Sequence, residues 1–323
     1  MISIAEVKNL IPADAISLLE ETFNPALVNK ILLAFRQKRN TTFRINTLKT
    51  TKQQVIADLQ KEKFKIKSIS FLPEVFYLDG DENNRLLKTD IVKEGKIYLQ
   101  SISSLLPPLI LEPQKNDKIL DMAASPGSKT TQIAAIVANT GSIDAIEPDF
   151  VRMERLKHNV ELLGVTNVNF YQTRGEDFCK DKKEYYDKIL LDAPCSGEGR
   201  FNFYDKNSYG SWKKNNVEKL SNLQKKLLKS AVLATKINGI IVYSTCTLNV
   251  FENEKVIDYI LKETDVKVKV VPIAEQFKTI PESVKPILQW KDEKFNDSIK
   301  NALRIIQSEN IEGFFICKLK RVG

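Results

Sequence analysis

From Asp117 to the end of the chain, short apolar runs alternate with segments of helical period, and no other feature limits the fold as much. Strands are read at 118–122, 142–146, 167–172, 186–191 and 240–247. Helices are read at 128–137, 150–163 and 217–235, with another at 252–262. A strand that returns parallel to its predecessor needs a long crossover, and helical crossovers cover both faces of the sheet. The pattern predicts an α/β fold with a doubly wound, mostly parallel sheet. Two later strands, 266–271 and 313–319, lack a clear crossover and predict an antiparallel edge. Residues 278–304 read as surface loop and helix.

The earlier part is organised differently. Helical spacing covers 14–23 and 25–35, with Pro25 suited to a first turn. A strand at 42–48, a helix at 52–62 and a strand at 64–69 read as a β-α-β unit. Residues 75–78 and a polar turn at 79–84 follow. We expect a small N-terminal α/β domain over residues 1–100 and a larger domain over 101–323. Pro107-Pro108 and Glu112-Pro113 read as punctuation between them.

Composition narrows the class. Apolar content of 42% and charged content of 28% are those of an ordinary globular chain. A net charge of +8 points to a polyanionic partner, most simply nucleic acid, with a solvated lysine-rich surface as the plain alternative. The cysteines, at 179, 195, 246 and 317, form no CxxC pair, which argues against a zinc cage or a disulfide framework. The N-terminus lacks signal-peptide features, and no apolar run reaches the roughly 18 residues of a membrane span. A cytoplasmic monomer without a metal is expected.

Chemistry-bearing residues collect at the predicted strand ends. Asp192, Pro194 and Cys195 close the fourth strand of the alternating part, and Cys246 closes the fifth. In an open parallel sheet that edge is where ligands bind. After the first strand, Ala123-Ala124-Ser125-Pro126-Gly127-Ser128-Lys129 lets the backbone approach a ligand at a helix start. It lacks the glycines of a phosphate-binding P-loop or of GxGxxG. Glu147, 18 residues beyond Lys129, is placed to accept from ribose hydroxyls. Together these features fit S-adenosylmethionine.

A thiol beside such a donor suggests pyrimidine chemistry. Carbon 5 of cytosine is a poor nucleophile until a thiolate adds at carbon 6. An acid such as Asp192 beside the thiol can stabilise the charge that develops on the ring. Cys179 and Cys317 read as buried apolar residues, and His158 as a surface residue.

On Arg44 to Lys49, Tyr98 to Gln100, Asp121 to Gln132, Leu190 to Gly199, Tyr243 to Glu254 and Glu312 to Phe315, the chain resembles the Nol/Nop/Sun-domain RNA (cytosine-5) methyltransferases. Residues 126–132 and 243–249 look most like the bacterial ribosomal-RNA branch, the RsmF type. The resemblance implies a Rossmann-like methyltransferase fold and an N-terminal RNA-binding domain. It implies Cys246 as nucleophile, Cys195 as the thiol that helps release product, and Asp192 against the cytosine and the edge of the donor site. Lys129 would lie near both donor and base, and Ala123 to Lys129 with Glu147 would hold S-adenosylmethionine. Where the family has an adenine-contacting Asp, this chain has Arg174, with Glu176 and Asp177 as possible replacements.

RNA is the expected partner, ribosomal RNA first and transfer RNA second. A DNA cytosine-5 enzyme using Cys195, or a non-catalytic assembly factor, are the rivals. Residues 205–236 hold eight lysines and two acids. Within them Trp212, Lys213 and Lys214 are the expected RNA contact. With Gly323 close behind the last strand, no further RNA module is expected, and substrate choice falls to the N-terminal domain.

Overall fold

The computed structural model describes residues 3–80 and 82–323; Met1, Ile2 and Asp81, the last within the expected 79–84 turn, lie outside them. Three helices come first: α1 (Ile4–Leu10), α2 (Ala13–Thr22) and α3 (Pro25–Phe35). Ser3 and Glu6 cap α1 reciprocally, and Asn24 caps α3 ahead of Pro25. Their apolar faces need partners from far along the chain. Val7, Leu19, Ile31 and Phe35 share a core with Phe201, Trp212, Leu248 and Ile306.

Next come β1 (Thr41–Ile45), α4 (Lys52–Lys61), β2 (Ile66–Ile69), β3 (Leu72–Leu78), α5 (Asn83–Leu86), α6 (Asp90–Lys93) and β4 (Ile97–Leu99). The strands form a sheet of order β2-β3-β1-β4 in which every pair is antiparallel. β1 and β2 are therefore not neighbours, as the β-α-β reading would have them; β3 lies between and pairs with both. Phe43, Leu59, Phe76 and Leu86 fill the core of this unit.

The expected break at Pro107-Pro108 is instead a helix, α7 (Ile102–Leu111), which carries both prolines. Proline lacks the N–H that would bond the carbonyl four residues back. Ser104, deprived of Pro108 in this way, offers its carbonyl to Gln100 Nε2 at 3.1 Å. Eight of the helix's ten residues are buried, and that packing outweighs the missing backbone bonds.

The rest is β5 (Lys118–Asp121), α8 (Ser128–Ile136), β6 (Ser142–Ile146), α9 (Phe150–Leu162), β7 (Val168–Tyr171), α10 (Gly175–Phe178), β8 (Tyr186–Asp192), α11 (Lys214–Ala234), β9 (Thr235–Thr245), α12 (Glu254–Glu263), β10 (Val268–Val270), α13 (Glu275–Lys278), β11 (Ser283–Val284), β12 (Gln289–Trp290), β13 (Glu293–Lys294), β14 (Leu303–Ile305) and β15 (Phe314–Arg321). Parallel pairing runs β7-β6-β5-β8-β9. The antiparallel edge is larger than expected: β15 pairs with β9 and carries β10 and β14, and β14 carries β11. Residues 278–304 thus hold strands as well as loop. α7, α8 and α9 cover one face of the sheet, α11 and α12 the other. Strand order reverses between β5 and β8, which opens a crevice at their carboxyl ends.

Candidate active site

A cavity of about 1020 Å³ occupies that crevice. Its walls include Ala123, Ser125, Pro126, Ser128, Lys129, Glu147, Asp192, Cys195 and Cys246, so most of the residues singled out in the sequence meet in one place. Ala124 and Gly127 do not line it. Ala124 packs into the core, while Gly127 turns the chain into α8 at φ 102°. A Cβ on Gly127 would sit 2.9 Å from Leu156 Cδ1. Both shape the loop from behind.

At the base of the loop, Thr130 Oγ1 donates to Asp121 Oδ2 at 2.8 Å. Burial pushes the Asp121 carboxyl up to about 6 despite that hydrogen bond. Glu147 is buried at the end of β6; it accepts from Asp149 N at 3.0 Å and pairs with Arg152 at 3.2 Å. Its carboxylate has acceptor capacity to spare. The first-turn N–H groups of α8 have no acceptor within their own helix. Met122, Leu220, Leu223 and Leu227 supply an apolar wall. Hydroxyl acceptor, amide donors and apolar wall fit a nucleoside carrying an amino-acid tail. Arg174 and Glu176 both border the cavity. Asp177, the other candidate replacement, is exposed and paired with Lys180.

At the other end, Lys129 Nζ lies 2.6 Å from Asp192 Oδ2 and 2.8 Å from Ser104 Oγ. Ser244 Oγ donates to Asp192 Oδ1 at 2.6 Å. Burial opposes the Lys129 charge, but Asp192 beside it prevails and the ammonium's pKa stands above its ordinary value. A lysine ammonium has three protons, so one is left for a ligand.

Cys195 Sγ and Cys246 Sγ are 3.2 Å apart, and Cys246 N donates to Cys195 Sγ at 3.3 Å. The hydrogen bond with Cys246, then burial, raise the Cys195 thiol well above its ordinary pKa. Cys179 and Cys317 are sealed in the core, and burial pushes the Cys179 thiol up to about 12. The thiol loops are held by backbone contact. Gly199 N donates to Cys246 O at 3.0 Å, and Gly313 N donates to Gly199 O at 2.9 Å. A Cβ on Gly199 would lie 2.1 Å from Gly313 O, so only glycine lets these loops close.

Two sets of contacts at the site go beyond the roles assigned from the sequence, although Arg44 and Glu312 both stand in motifs quoted there. Glu312 binds Arg39 at 2.8 Å and lies 3.9 Å from Arg200, whose guanidinium borders the cavity near Cys246. Arg44 of β1 reaches Thr131 Oγ1 at 2.8 Å and Gln100 Oε1 at 3.0 Å, joining the first sheet to α8. Each contact crosses more than 50 residues, and no local pattern announces it. The expected RNA contact is also revised. Trp212 is only 9% exposed and donates its indole N–H to Glu198 Oε1 at 2.8 Å. Tyr209 is buried in the same core, whereas Tyr204 is 54% exposed with Lys38 Nζ 5.7 Å from its ring centre. Lys213 and Lys214 remain exposed. Among the described residues no cluster of His, Cys, Asp and Glu could hold a metal ion, and no helix is long and apolar enough to cross a membrane.

Residues 108–320 match the model of the family described as 16S rRNA methyltransferase RsmB/F. A tRNA (cytosine(49)-C(5))-methyltransferase from Pyrococcus abyssi is 35% identical over 87% of this chain and 88% of its own length. Ribosomal RNA small subunit methyltransferase F from Serratia proteamaculans is 32% identical over 91% of this chain and 59% of its own. The chain spans 45% to 62% of the length of other curated relatives it matches. A solved methyltransferase homolog from Pyrococcus horikoshii superposes with a TM-score of 0.78 at 29% identity, covering 96% of this chain and 99% of that one.

Proposed function

Because the chain belongs to the RsmB/F family of S-adenosylmethionine-dependent RNA cytosine-C5 methyltransferases, we propose that it forms 5-methylcytosine in ribosomal RNA through a transient bond from Cys246 to the base. One observation carries this reading: two thiols 3.2 Å apart in the cavity that also holds the Lys129–Asp192 pair and Glu147.

In this reading Cys246, its thiol proton given up to solvent, bonds through the Sγ thiolate to carbon 6 of an extruded cytosine, and the electrons of the 5,6 double bond move toward carbon 5. The third Lys129 proton donates to the ring as negative charge develops, and Asp192 accepts from the exocyclic amine. The 123–129 loop and Glu147 would hold S-adenosylmethionine, which when bound would supply the electrophilic methyl group for carbon 5. Transfer of the carbon 5 proton to water restores the double bond and breaks the bond to Cys246, whose sulfur leaves with the electron pair as the thiolate. Cys195, held protonated, donates a hydrogen bond to the departing sulfur. Residues 1–100 form the RNA-binding part and 101–323 the catalytic part of a cytosolic monomer.

Cys246→Ala is expected to abolish methylation, and Cys195→Ala to trap a protein–RNA adduct that survives a denaturing gel. The reverse result would make Cys195 the nucleophile and overturn the assignment. Transfer RNA is the second reading, favoured by the Pyrococcus abyssi relative, of which the chain covers 88%. Bisulfite sequencing of total RNA with and without the gene decides between them.

A further inference from the structure

Beneath the thiol loops lies a closed set of polar groups that the mechanism above does not use. Glu198 and Glu252 are 1% and 0% exposed. Ser196, directly after Cys195, stands between them. Its Oγ is 2.8 Å from Glu198 Oε1 and hydrogen-bonded to Glu252 Oε1, and its N donates to Glu252 Oε2 at 3.0 Å. Thr247, directly after Cys246, is hydrogen-bonded to Glu198 Oε2. Asn249 Nδ2 reaches Glu252 Oε1 at 2.7 Å and Glu198 Oε1 at 3.2 Å. Trp212 Nε1 and Gln224 Nε2 supply one donor to each acid, at 2.8 and 2.7 Å.

The proton count decides the charge state. Ser196 has one hydroxyl proton and faces two carboxyl oxygens. With both acids ionised, one of those contacts would set lone pair against lone pair. A single carboxyl proton given to Ser196 Oγ completes the set, because Ser196 then donates to the other acid. The charged and titratable groups around the pair do not neutralise it. Asp192 ends β8 and Cys195 follows it, while Tyr243 lies on β9 and Cys246 just after it. The Tyr243 hydroxyl donates to the Glu252 backbone carbonyl. Arg304 of β14 is paired with Glu254, and Arg200 lies by Glu312. Burial raises both carboxyls, Glu252 further through Glu198.

We propose that Glu198 and Glu252 share one proton and act as positioning residues, latching the loop of Cys195 to the loop of Cys246. Losing that proton to solvent leaves two buried carboxylates, parts the loops and slows release of the methylated base. The release step rests on the function proposed above; the latch does not.

Dibromobimane, which fluoresces when it bridges two thiols, reads the latch in the protein without RNA or cofactor. The buried Cys179 and Cys317 are out of its reach. The wild-type bridging rate, divided by that of Glu252→Gln, is expected to fall about tenfold from pH 6 to pH 9, as the shared proton is lost. The Gln variant keeps an N–H toward Ser196 at every pH, and Asn249 Nδ2, which donates to Glu252 Oε1 in the wild type, turns to its other acceptors, Glu198 Oε1 and Thr247 Oγ1. Ser196→Ala is expected to bridge slowly and independently of that proton. Turnover should fall over the same range in the wild type, with denaturation-resistant RNA adduct accumulating, and Glu252→Gln should flatten both changes. Parallel bridging profiles for wild type and Glu252→Gln, or a Gln variant as impaired as Glu252→Ala at pH 6, overturn the proposal. Loss of methylation in every protein, with the bridging difference intact, would count against the proposed function and leave the latch standing.

Discussion

At the Glu147 end of the cavity, polar groups are left with bonding capacity to spare, whereas at the thiol end nearly every polar atom already has a partner. Glu147 holds one backbone N–H and one half-exposed arginine. Cys195 and Cys246 sit on loops joined by Ser196, Thr247, Asn249 and two buried acids. The open end is suited to a ligand that enters and leaves in each cycle. The closed end fixes a geometry in advance, which is what reacting atoms require.

The sharpest way to break this contrast is at Lys129, which faces both ends. In the proposed mechanism Lys129→Met removes a donor from the reacting ring, and it strands Asp192. Single-turnover methylation is expected to slow about 100- to 1,000-fold. Glu147→Ala tests the open end alone. Calorimetry should show cofactor binding weakened about 10- to 100-fold, with dibromobimane bridging of the two thiols unchanged. A change in bridging would mean that the ends are not independent.

Smaller effects sharpen the same comparison. Gly199→Ala forces a Cβ against Gly313 O and is expected to lower stability by about 1–3 kcal/mol, measured as a denaturant midpoint. Asp121 lies at the end of β5 beneath both ends. Its folded pKa of about 6 exceeds the unfolded value near 3.9, so ionising it lowers stability above pH 6 and not below about pH 4. Asp121→Asn should therefore raise the melting temperature at pH 8 and leave it nearly unchanged at pH 4.

Much of this was legible from local pattern. The parallel strands and their helices followed from period, and Asp192, Cys195 and Cys246 stood out because each closes an apolar run. What was hidden depended on distant partners. α7 looked like a break because its two prolines are unfavourable until the core packs around them. Trp212 looked like an RNA platform because its hydrogen-bond acceptor, Glu198, is a buried acid that the sequence does not mark. The order β2-β3-β1-β4 was out of reach because antiparallel pairing is settled between segments, not within them.

The amide proton that Pro108 does not have sets off a relay. Ser104's idle carbonyl engages Gln100, Gln100 engages Arg44, and Arg44 grips Thr131 two residues beyond Lys129. A proline in one helix thereby fastens the first sheet to α8, whose opening residues Ser128 and Lys129 wall the cavity, so a slip of that sheet would disturb the cavity's floor as well as its own core.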